Sequence, residues 1–229
     1  MSSEPAYRHN ADELTADLKS AEIVVGSLLE TYSPRSVLDV GCGLGHFIRK
    51  FREAGVTDVL AVDGSYLDPG RLCIPQELFR EADLTKPFDF GRKFDLVVSL
   101  EVAEHLPPSC ASQFVDCLVR HGDVILFSAA FPGQGGQNHL NEQWIRWWAR
   151  EFQRHGYLPS DAIRCKLVSS ADLPPWYRFN VLLYAKPGAL AGPSLQADFF
   201  EHVLTGGLGI KLSLRSLLAA VQKKFRRHS

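Results

Sequence analysis

One turn constrains this chain more than any other feature. Residues 37–47, VLDVGCGLGHF, place Gly41, Gly43 and Gly45 between an apolar run and the helically spaced Phe47, Ile48 and Phe51. Glycine is needed where φ is positive or where a Cβ would collide. The chain must therefore turn sharply from a buried strand over 36–40 into a helix over 46–55, stopped by Gly55. In an open α/β sheet such a turn faces the ligand crevice, with backbone N–H groups near a helix N-terminus.

The rest of the first 132 residues repeats the same alternation. Strands are expected over 56–65, within 75–84, over 94–100 and over 122–132, and helices over 11–31 and 109–122, the latter capped by Ser109. Strands alternating with helices mean crossovers and a parallel sheet. After a glycine-rich loop, 133–141, a helix over 142–156 carries Trp144, Trp147 and Trp148 on one face, and two more strands are expected near 163–168 and 178–185. The organisation is an N-terminal helical segment (1–33), a main domain (34–186), and a linker with a helical tail (187–229).

Composition narrows the class without naming a chemistry. With 25 basic and 26 acidic residues the net charge is −1, which gives no basic field for nucleic acid. Five scattered cysteines without a CxxC pair indicate neither a zinc knuckle nor a disulfide framework and suit a reducing, cytoplasmic setting. No segment has the length and apolarity of a membrane span.

Acids at three successive strand ends say what the turn is for. Asp39 precedes it, Asp63 ends the second strand twenty residues after Gly43, and Asp83 ends the third. A carboxylate at Asp63's position accepts hydrogen bonds from ribose hydroxyls, and one at Asp83's position from an adenine amine. The turn reads GxGxG, whereas a dinucleotide fingerprint needs GxGxxG. Asp39 would repel a pyrophosphate but suits an ammonium or sulfonium. A cationic nucleoside is favoured over a nicotinamide dinucleotide.

These residues resemble the class I S-adenosylmethionine-dependent methyltransferases. VLDVGCGLG is similar to that family's first motif, VLAVDGS and EADLT to its second and third, and FDLVVSLEVAEHLPP to its fourth. GQGGQNHLNEQW and PPWYRFNVLLYA resemble a subgroup of small bacterial methyltransferases of glycan or natural-product modification. The resemblance implies a Rossmann-like, seven-stranded, mostly parallel sheet with helices on both faces and an antiparallel last strand. It also implies that Gly41, Cys42 and Gly43 cradle the methionine part of S-adenosylmethionine beside Asp39, and that Asp63, with Gly64 next to it, binds the ribose. By the same likeness Asp83 and Leu84 hold the adenine, and Leu100 and Glu101 lie under the methionine; the product is S-adenosylhomocysteine.

A hydroxyl acceptor needs its proton removed, and the candidates must lie beyond the C-terminal strand ends. His105, in EVAEHLPP, and His139, in QNHLNEQW, are the candidate bases, with Glu142 as an acceptor-binding group. Trp176 and Tyr177, after Pro174 and Pro175, are expected to wall the acceptor pocket, and Tyr7 and His9 to contribute to a lid. Glu101, His105, His139 and Glu142 are of metal-ligand type, but their spacing enforces no site and methyl displacement needs no metal, so none is expected. The resulting expectation is O-methylation of a small-molecule or glycan-like acceptor, with N-methylation of a small amine or a silent binding scaffold as rivals. The oligomeric state is left open. The tail, GIKLSLRSLLAAVQKKFRRHS, reads as an amphipathic basic helix suited to the inner membrane surface, to a partner subunit, or to a solvated chain end.

Overall fold

The computed structural model describes residues 11–190. Tyr7, His9 and the basic tail lie outside the described residues, as does the end of the linker.

Seven strands form one sheet. They are β1 (Ser36–Val40), β2 (Asp58–Asp63), β3 (Phe79–Glu81), β4 (Leu96–Leu100), β5 (Val124–Ser128), β6 (Leu158–Ser160) and β7 (Leu182–Ala185), in the spatial order β3-β2-β1-β4-β5-β7-β6. The pairs from β3 to β5 are parallel, and β7 runs antiparallel to both β5 and β6. Strand order reverses between β1 and β4, so the crevice opens at the C-terminal ends of those two strands.

Alternation along each strand splits the apolar residues between two cores. Val37, Ala61, Val98 and Leu126 face one way and pack with Val24, Leu28, Ile48 and Phe51 of helices α1 (Ala11–Leu29) and α2 (His46–Glu53). Leu38, Val62, Val97 and Ile125 face the other way and pack with Phe114 and Leu118 of α3 (Ala111–His121) and with Trp148 and Phe152 of α4 (Ile145–Arg154). Both faces of the central strands are covered, as the near-continuous apolar runs require.

Four sequence expectations are corrected. Residues 164–168 are helix α5 (Arg164–Val168); its N-cap Ile163 and its Leu167, four apart, are both fully buried. The strand lies earlier, at β6, an edge position that tolerates Pro159. Residues 175–180 are helix α6 (Pro175–Asn180), entered through a proline at its first position, so the strand starts only at Leu182. Ser109 sits in a short 3-10 turn, Pro108–Cys110, and α3 begins without a side-chain cap. Trp144 precedes α4 and is 52% exposed, stacked on Phe131, while Trp148 is buried.

Candidate active site

The three turn glycines all have positive φ (82°, 52° and 86°), but the space beside each differs. A Cβ on Gly41 would meet Val102 Cγ2 at 2.3 Å, and one on Gly45 would meet Ile74 Cδ1 at 2.9 Å. Those two glycines let loops after β4 and β2 close on the turn. A Cβ on Gly43 would meet nothing within 4 Å, so the turn has open space beside Gly43.

The N–H groups of the turn are spent inside the protein. Gly41 and Cys42 donate to the Val62 carbonyl at 2.8 and 3.1 Å, and Gly43 donates to Asp63 Oδ2 at 2.8 Å. The expectation that N–H groups here face the ligand is corrected for these three residues. The carbonyls of the turn are engaged as well, Cys42 O accepting from Gly45 N and Leu44 O from Cys73 N, both at 2.9 Å. Next to them, Asp39 is 2% exposed and its Oδ2 has no hydrogen-bond partner among the described residues. Burial, and then the charge of Asp63, push the Asp39 carboxyl up to about 8. A cationic ligand would complete it.

Asp63 is fixed by three neighbours. Besides the Gly43 contact, Oδ1 accepts from Gly64 N at 2.7 Å and from the Tyr66 hydroxyl at 2.5 Å. Tyr66 is 60% exposed, and its ring lies over Gly64, within 2.7 Å of where a Cβ would stand. It shares Oδ1 with the Gly64 amide. Asp83 has a local role: its Oδ1 accepts from Thr85 N and Oγ1 at 3.0 and 2.6 Å, and Lys86 lies 3.0 Å from Oδ2. The Thr85 and Lys86 contacts hold its carboxyl down at about 2. The Leu84 side chain is packed in the second core, and that of Leu100 in the first.

Beyond β4 the chain builds a second cluster. Glu101 has φ of 56°, a strained value for a residue with a side chain. Its N–H donates to the carbonyl and the hydroxyl oxygen of Ser128, both at 3.1 Å. Its carboxyl accepts from Gln134 Nε2 at 3.0 Å and Asn180 Nδ2 at 3.4 Å, and Asn180 also donates to Gln134 at 2.8 Å. Burial raises the Glu101 carboxyl, and the Gln134 and Asn180 contacts oppose it only in part. Glu104 is fully buried. The Glu101 carboxyl and the Ala130 backbone lie beside it without closing a hydrogen bond of good geometry to either Glu104 oxygen. Burial and then the Glu101 charge push the Glu104 carboxyl well above the usual range.

Two histidines close over these acids. The His105 and His139 ring centroids are 5.0 Å apart, edge to face. His105 Nδ1 lies 3.3 Å from the Asn138 carbonyl, and burial, then the charge of His139, lower its pKa. His139 Nδ1 lies 2.9 Å from Glu142 Oε1. Burial raises the Glu142 carboxyl, but hydrogen bonds from His139, Gly133 and Gly135 more than offset it, and the net shift is downward. Gly136 leaves room for the ring, since a Cβ there would meet His139 Nε2 at 2.2 Å. The loop is tied down by Leu140 N and Asn141 N, which donate to the Glu104 carbonyl at 2.7 and 2.9 Å.

The structure thus brings Glu101, His105, His139 and Glu142 into one region, together with Glu104, Gln134 and Asn180, which the sequence reasoning missed. Glu104 had a signal, a carboxylate three residues after Glu101 and next to His105; Gln134 and Asn180 had none. Tyr177 is corrected as a pocket wall left out of the core: it is 8% exposed and packs edge-on against Phe47, with Trp176 half-buried at the same cluster. Two surface hollows, of about 500 and 280 Å³, lie at the opposite end of the sheet, beside Pro34 and Gly55 and beside Asp95 and Asp123. They contain none of these residues, and the chemistry of the strand ends outweighs their size.

A doubly wound sheet with acids at the ends of β1 and β2 and a glycine turn between β1 and α2 is the frame of a class I methyltransferase. Residues 7–172 match the methyltransferase domain family, so the chain belongs to that family, and S-adenosylmethionine is its methyl donor. Among solved structures, a sugar N-methyltransferase from Streptoalloteichus is similar at a TM-score of 0.56 and 15% identity, over 81% of this chain and 96% of that one. Magnesium protoporphyrin IX methyltransferase from Synechocystis, with bound SAH, is similar at 0.55 and 18%, over 79% and 89%. The methyltransferase domain of a bacterial Hen1 is similar at 0.55 and 16%, over 74% and 98%. No curated protein matches by sequence.

Proposed function

We propose that this enzyme methylates an oxygen of a small-molecule or glycan-like acceptor. The observation that carries the reading is the pairing of His139 with Glu142 at 2.9 Å, with His105 against it, beyond the end of β4. A carboxylate-oriented imidazole takes a proton, which a hydroxyl acceptor must lose and a neutral amine need not lose before attack.

The donor supplies an electrophilic methyl on a sulfonium. Asp39, buried beside the glycine turn with one oxygen unpartnered, holds its ammonium end, Asp63 its ribose, and Asp83 and Leu84 its adenine end, the last by displacement of Lys86. The His105 and His139 rings receive the acceptor's proton as its oxygen bonds to the methyl carbon and the C–S electron pair passes to sulfur. Trp176 and Tyr177 back the wall from within the core. Among the described residues no helix is long and apolar enough to cross a membrane.

The test is transfer of labelled methyl from S-adenosylmethionine to a panel of hydroxylated glycosides and aromatics and their amino analogues. Product on hydroxyls, lost in His139→Ala, supports the reading. Product on amines alone, unchanged in that variant, overturns it in favour of N-methylation.

A further inference from the structure

We propose that Glu104, His105 and His139 form a binding site for a divalent first-row transition cation, facing the acceptor. One oxygen or ring nitrogen from each of the three lies within 4.8 Å of the others. A carboxylate and two imidazoles that converge this closely suit Mn²⁺, Co²⁺ or Zn²⁺, with coordination positions left for solvent or substrate oxygen.

The second observation is Glu104 itself. It has 0% exposure and neither oxygen has a hydrogen-bond partner among the described residues. A buried carboxyl left this way costs several kcal/mol or more, and buried polar groups are normally satisfied. The carboxyl of Glu101 beside it adds a second acid to the same low-dielectric space, which a dication would offset. The surroundings also resemble those of a ligating histidine. Glu142 holds one nitrogen of His139 at 2.9 Å, which fixes the ring and leaves the other nitrogen for the cation. The Glu104 carbonyl anchors the amides of Leu140 and Asn141, so the 133–142 loop and the Glu104 turn move as one.

The site's existence is independent of the acceptor, but its use rests on the O-methylation reading. Bound there, the cation would take an acceptor hydroxyl as a further ligand and lower its pKa; in the cation-loaded enzyme it would then replace the two imidazoles as the means of deprotonation proposed above, the rings serving as ligands and the proton leaving to solvent.

Chelator-treated full-length protein is titrated with Co²⁺, read by visible absorption, and with Mn²⁺, read by loss of the free-ion paramagnetic resonance signal. The expected result is one equivalent bound in the wild type and in a His155→Ala control. Binding should weaken at least 10-fold in Glu104→Gln and in His139→Ala; the latter lies on a loop and keeps the test valid if the former fails to fold. Absence of binding, or binding unchanged in His139→Ala, overturns the site. For its use, chelation should cut transfer to a hydroxyl acceptor by about 100-fold, with recovery on adding Mn²⁺; transfer unaffected by chelation overturns that role. A protein that transfers methyl to no hydroxyl refutes the proposed function, while the Co²⁺ titration still decides the site.

Discussion

The two ends of the crevice are built by different means. The cofactor end rests on strand termini and a short turn: Asp39, Gly43 and Asp63 lie within 25 residues, and their contacts are largely backbone-to-carboxylate. The acceptor end is assembled from loops, with Glu101 reaching Gln134 across 33 positions and Asn180 across 79. In the proposed reading, the sheet presents the donor, and a folded-over loop presents the groups that act on the acceptor. Such a division lets one frame serve many acceptors.

If the division is real, the two ends respond independently to substitution. The largest expected effect is on turnover: His139→Ala should lower kcat toward a hydroxyl acceptor by about 10²–10⁴-fold and leave cofactor affinity within about 2-fold. A parallel loss of cofactor affinity would show that the two ends are one unit.

The glycines sharpen the same contrast at the cofactor end. Gly41→Ala drives a Cβ into Val102 at 2.3 Å and should destabilise the fold by about 2–4 kcal/mol, on the order of 10 °C in Tm. Gly43→Ala meets open space, so it should cost only about 1 kcal/mol of backbone strain and weaken cofactor binding instead. Thermal melts and calorimetry on the two variants separate these outcomes; equal melting temperatures would contradict the assignment.

A smaller effect is expected from pH. Asp39 carries a folded pKa of about 8 against an ordinary carboxylate value, so the folded state holds the extra proton between the two. Glu101 and Glu104 shift the same way, and His105, lowered, works in the opposite sense near its ordinary value. Stability of the cofactor-free protein should therefore fall as pH rises from about 4 to about 8. A cationic ligand reverses the preference at Asp39, so cofactor binding near pH 7 should release a proton, seen as a dependence of calorimetric heat on buffer ionisation. Heat independent of the buffer would mean that Asp39 is already ionised or does not meet the charge.

What could be read from the chain follows the same division. The first five strands, and the placing of Asp39, Gly43 and Asp63 around the end of β1 and β2, were visible because local patterns determine them. The region after residue 156 was not. RCKLV contains a short apolar run that suits either a strand or a buried helical turn, and only the core around Ile163 and Leu167 decides it. Tyr177 follows two prolines, which signal a break but not which way the next side chain points. Glu104, Gln134 and Asn180 acquire their roles only when β4, the 133–142 loop and α6 meet in space.

The most direct measurement is calorimetric titration of S-adenosylmethionine and S-adenosylhomocysteine into the wild type, Asp63→Ala and His139→Ala. The account predicts micromolar binding to the wild type, weakening by at least about 100-fold in Asp63→Ala through loss of its charge-assisted hydrogen bonds, and near-wild-type binding in His139→Ala. A folded wild type that binds neither ligand, or an Asp63→Ala variant that binds as tightly as the wild type, would contradict it.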